Sequence, residues 1–71
     1  MTKLNDVKIG SWLDDGCGIY EVIDDYDSFH DWFLIKEVIF EGESGDEYHL
    51  SDQVLKITSN EVKRADLLNK R

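Results

Sequence analysis

Residues 24–31 read DDYDSFHD and gather four carboxylates, two aromatics and a histidine in eight positions. Oxygen donors at this density suggest calcium. An EF-hand loop needs alternating acids, a glycine at its sixth position and a bidentate glutamate at its twelfth. Counting from Asp25, Asp27 falls correctly, but the sixth residue is His30 and the twelfth is the cation Lys36. The pattern therefore argues against that site, and a looser one from Asp24, Asp27 and His30 has no further support. Zinc needs three or four Cys, His or carboxylate ligands. Cys17, His30 and His49 are the only Cys and His residues, and none is paired closely with another. No metal and no cofactor is expected.

Cys17 lies between Gly16 and Gly18, an accessible position for a nucleophile. A reactive thiolate wants a cationic or basic neighbour. Its neighbours Asp14 and Asp15 are anions and oppose it. Paired carboxylates for hydrolysis fare no better, because here they fall in solvated loops where nothing tunes them. A small metal- or cysteine-dependent hydrolase is the weakest of the readings weighed, and no catalytic residue is expected.

The acids themselves are the strongest feature. Net charge is −8, unevenly spread. Residues 1–8 are net +1, residues 9–55 carry thirteen acids against the single Lys36, and residues 56–71 are net +3. Such a body repels phosphate, which disfavours direct binding of nucleic acid or anionic membrane. It attracts a basic protein surface at long range, with strong salt dependence. The expected partner-binding residues are Asp24, Asp25, Tyr26, Asp27, Phe29, Asp31, Glu43, Asp46 and Glu47. The aromatics among them would serve as anchors, or else as plugs turned toward the core. Plain solubility is the competing explanation for the charge.

These side chains need a scaffold. Seventy-one residues allow one domain, expected to span 1–71. So short a chain buries only about 60% of the surface its unfolded form exposes. Eight aromatics and 41% apolar residues suffice for a small core and argue against disorder. A single cysteine, no signal-like segment and no long apolar run point to a cytoplasmic, soluble chain.

VKIGSWL at 7–13 and GIYEVID at 18–24 flank DDGCG, and Asp15-Gly16 is a strong hairpin signal. Gly10 marks a bulge or a close backbone approach. Periodicity alone leaves helix and strand both open for WFLIKEVIF at 32–40, where Ser28 and Asp31 could cap a helix. Its aromatic and Val/Ile content and its length select strand, and apolar residues on both faces make it a central, strongly bent one. Short strands follow around Tyr48–Leu50 and at 54–58. Thr58 with Glu61 forms a capping box, and Val62, Ala65 and Leu68 recur at helical spacing. That predicts a helix over 59–69 closing one end of a barrel, with Lys63, Arg64, Lys70 and Arg71 facing outward. The expected core is Val7, Ile9, Trp12, Tyr20, Val22, Leu34, Val38, Phe40, Leu50, Val54, Leu55 and Ile57.

The order G-x-W (Gly10, Trp12), Gly-rich turn, YEVID, acidic loop, aromatic strand, VLKI resembles the SH3-like barrel family over about residues 6–58. It is also similar to short uncharacterised proteins of phages and Gram-positive bacteria with a G-x-W…Y-x-V-x-D start. The resemblance implies an all-β barrel of about five strands that binds rather than catalyses. The acidic and aromatic peptide-binding run of true SH3 domains is absent, so no family site carries over. The expected function is a non-catalytic, acidic protein-interaction module of phage or mobile-element kind. The alternative is an inhibitor that imitates nucleic-acid charge on a DNA-binding enzyme.

Overall fold

Trp32–Glu41 form one ten-residue strand, β3, the axis of the molecule. β-Branched and aromatic residues fill most of it and suit a pleated, packed surface. The computed structural model describes residues 2–68. Around β3 stand β1 (Trp12–Asp14), β2 (Ile19–Val22), β4 (Glu47–Leu50), β5 (Leu55–Thr58), a helix α1 (Ser59–Arg64) and β6 (Asp66–Leu68). The strands pair antiparallel in the order β4-β3-β2-β1-β6. β5 also pairs with β3, at residues 32–35, on the edge that β4 occupies at 38–41. Ser51 donates its N–H to the Glu37 carbonyl at 2.9 Å where the chain passes from β4 to β5.

The β1–β2 hairpin has the expected Asp-Gly turn, with Gly16 at φ +92°. Its first strand is shorter than 7–13. Gly10 donates to the Val22 carbonyl at 2.8 Å, and Val22 donates to the Ser11 carbonyl at 2.9 Å. Two residues thus oppose one, which is a bulge, and Gly10 at φ +93° permits it. Regular pairing begins only at Trp12.

The C-terminal segment differs from expectation. Thr58 accepts the Glu61 N–H while its own N–H donates to the Glu61 carboxylate at 3.1 Å, the anticipated capping box. The helix then stops at Ala65, whose backbone is extended. Asp66–Leu68 instead join β1, with Leu13 opposite Leu67 and Trp12 opposite Leu68. An open sheet edge captures residues that local propensity would leave helical. Residue 69 of the expected helix, with Lys70 and Arg71, lies outside the described residues.

Six strands, not five, are present among the described residues, and the sheet is open. β6 ends one side, β4 and β5 the other, and they do not pair with each other. Helix α1 runs between β5 and β6 and sets Val62 and Ala65 into the core, so the gap is filled by side chains rather than by a ladder. Thr2 helps hold this end, donating its hydroxyl to the Ala65 carbonyl at 2.7 Å. No helix of the described residues is long and apolar enough to cross a membrane.

The main core comprises Val7, Leu13, Val22, Phe33, Ile35, Ile57, Val62 and Ala65, with Tyr20 and Leu55 packed against it. Burying a side chain such as Leu13 or Val22 contributes roughly 1.5–3 kcal/mol. Several expected core residues lie elsewhere. Ile9 is 58% exposed and Val54 is half exposed, because one precedes the bulge and the other lies in the β4–β5 turn. Trp12, Leu34 and Leu50 are half-buried and Phe40 is exposed. On β1 and the first half of β3 the core face carries Leu13, Phe33 and Ile35. The face of Trp12 and Phe40 is the opposite one.

Candidate interaction surfaces

The 24–31 loop folds on Asp27. Its carboxylate accepts the N–H groups of Phe29 (3.0 Å) and His30 (3.1 Å), and its other oxygen lies 2.8 Å from His30 Nδ1. Its backbone carbonyl accepts from Asp31 at 2.8 Å, and its N–H donates to the Trp32 carbonyl at 2.9 Å. This Asp-led turn competes with regular structure in the usual way. It brings Asp31 to φ +62°, the one left-handed non-glycine among the described residues. The Tyr26 hydroxyl donates to Asp31 Oδ1 at 2.5 Å, tying the two ends of the loop together.

The two loop aromatics therefore part company. Tyr26 leans on buried Phe33, ring centroids 5.1 Å apart, although it stays 37% exposed. Phe29 is 88% exposed at the tip. Behind it His30 stacks parallel on Trp32 at 4.4 Å, and Lys56 Nζ lies 4.3 Å from the Trp32 ring centre. Asp24 and Asp25 are exposed on the approach.

The His30 hydrogen bond, helped by the His30 backbone N–H, holds the Asp27 carboxyl below its ordinary value. The Tyr26 hydroxyl does the same for Asp31, with Ser59 adding to it, and in return Asp31 raises the Tyr26 hydroxyl. Depressed carboxylates favour the fold above their unfolded value, about 3.9 for Asp, and that contribution disappears as pH falls through the lower folded value. Denaturation between pH 5 and 2 should thus show stability falling with acid, and Asp27→Asn should flatten that slope. An unchanged slope would mean that the Asp27 turn contributes nothing to the fold.

Glu43, Asp46 and Glu47 do not join this loop. They follow the far end of β3, in the turn to β4 and at the start of β4. A ten-residue strand spans about 30 Å, in a body whose longest extent is 40 Å. The expected acidic surface is therefore two surfaces. In the second, the Ser44 hydroxyl donates to the Asp46 carboxylate.

The sheet face opposite the core holds a feature that sequence reasoning missed. The alternation of β1, β2, β3, β4 and β6 places Trp12, Ile19, Phe40, Tyr48 and Leu68 on that side, and together they line a groove of about 630 Å³ with Ser44, Gly45 and Asp46. Trp12 meets Tyr48 edge to face at 4.9 Å and Phe40 at 5.8 Å. Its indole N–H donates to the Glu21 carboxylate at 2.8 Å, which fixes the ring. The apolar second face of β3 was the available signal, though it reads equally well as core.

The reactive residue types are dispersed. Cys17 is exposed on the β1–β2 turn, His30 sits in the loop, and His49 on β4 pairs with Glu41 at 2.8 Å. Among the described residues no three His, Cys, Asp or Glu side chains converge as metal ligands would. Comparison with known protein families, characterised proteins and solved structures gives no match.

Proposed function

We propose that this chain is a non-catalytic interaction module that docks on a basic surface of a partner protein through its 24–31 loop. The observation that carries this reading is Phe29, an apolar ring 88% exposed on a loop pinned by Asp27 and Asp31. Exposed aromatics on ordered backbone make effective anchors, since little entropy remains to be lost on binding. Asp24 and Asp25 beside it supply attraction to a cationic rim. A small, open SH3-like barrel is part of the same reading, supported by β3, which β4 and β5 share along one edge, and by the return of β6 to β1. The lone exposed cysteine is in keeping with a reducing, cytoplasmic setting.

The spread of carboxylates toward both ends of a 40 Å body favours a second reading, an inhibitor that presents phosphate-like charge to a DNA-binding enzyme. One experiment addresses both. Immobilised protein should retain a lysate partner at low salt and release it as salt rises. Phe29→Ala and the Asp24→Asn/Asp25→Asn pair should each weaken retention about tenfold, the scale of a hot-spot loss. Displacement by duplex DNA would favour the second reading. Equal retention by wild type and both variants would reject docking through this loop.

A further inference from the structure

We propose that the groove on the opposite sheet face is a second binding site, and that it takes an arginine side chain of an extended partner segment. This rests on the reading of the body as a dock for cationic partners, and adds a place and a residue type. The floor is aromatic: Phe40 and Tyr48 each stand at nearly a right angle to Trp12, and both are over two-fifths exposed. Ile19 and Leu68 form apolar walls, and Asp46 lies at the rim.

Charge complementarity selects the occupant. Between residues 9 and 55 the only cation is Lys36, opposite Glu21 in the β2–β3 register, against thirteen acids. An incoming cation thus meets an aromatic surface within a strongly negative body. Ring faces attract cations through their quadrupole. A guanidinium does this best here, because it is planar, weakly hydrated and forked. It can lie flat on a ring while its N–H groups reach the Asp46 carboxylate. A lysine ammonium is compact and strongly hydrated, and gains less from such a floor. The Trp12–Glu21 hydrogen bond keeps the indole fixed.

The test is calorimetric titration of the full chain with two nonapeptides, one bearing three arginines among Gly and Ser, the other three lysines. At low salt both should bind through charge. At about 0.3 M salt, where the Debye length is under 8 Å, the arginine peptide should remain about tenfold tighter, the scale of one good cation–π contact with its charged hydrogen bond. Tyr48→Ala and Phe40→Ala should each abolish that preference, and Asp46→Asn should reduce it. Asp24→Asn/Asp25→Asn should leave it intact. Perturbation of the Tyr48 ring resonances by the arginine peptide gives a readout in wild type that needs no variant to fold. Equal affinity for both peptides, or a preference that survives Tyr48→Ala, overturns the arginine site while sparing the cationic-partner reading. Failure of both peptides to bind at low salt overturns the two together.

Discussion

Leu13→Ala should leave the protein largely unfolded at 25 °C. Leu13 is completely buried on the central β1, with Tyr20 opposite it on β2 and Leu67 on β6. It belongs to the cluster with Val7, Val22, Val62 and Ala65, where α1 fills the gap between sheet edges. Truncating a buried leucine costs about 2–5 kcal/mol, more when the cavity cannot collapse. Here hydrogen-bonded strands on both sides of β1 restrain collapse. A domain of this length has roughly 3.5–10 kcal/mol in all, with small cores toward the lower end. The substitution removes much of that margin. Urea titration followed by circular dichroism should place the midpoint far below wild type or show no folded baseline. Ile9→Ala, three residues before β1 and exposed, should shift it little. Similar midpoints for the two variants would mean that the core does not lie where it is described.

That contrast shows where sequence reading succeeds and where it stops. The β1–β2 turn, the Gly10 bulge, the length of β3 and the Thr58–Glu61 capping box were all legible, because each is encoded within a few residues. The expected core contains Trp12, but Leu13 next to it is the buried residue, and the Gly10 bulge interrupts the alternation that begins at Val7. The fate of Asp66–Leu68 was not legible. Alanine and leucine favour helix locally, and only the open edge of β1, far away in the chain, turns them into strand. The same limit governed the candidate sites. The sequence shows Tyr26 and Phe29 among acids, but the Asp27 turn decides which ring rests on Phe33 and which stands clear of the body. It shows Glu43 and Asp46 as further acids, but the ten-residue length of β3 carries them away from the 24–31 loop. The aromatic groove depends on register across five strands, which no local pattern records.

Phe33→Ala and Phe40→Ala should separate stability from binding within one strand. Both residues are phenylalanines on β3, but Phe33 is 2% exposed and Phe40 is 46% exposed. Phe33 pairs with Ile57 and packs in the main core, so its truncation should cost about 3–5 kcal/mol. Phe40 pairs with Tyr48 and touches Trp12 edge to face, so its loss should cost only about 1 kcal/mol. For the arginine peptide the order reverses. Phe40→Ala should lose the preference for arginine while staying folded, and any Phe33→Ala protein that remains folded should keep it. This reversal arises because a strand alternates its side chains between faces, and β3 is apolar on both. One face closes the core; the other carries the groove beside Asp46. Equal destabilisation by the two substitutions would place Phe40 in a core of its own and leave the groove without its floor.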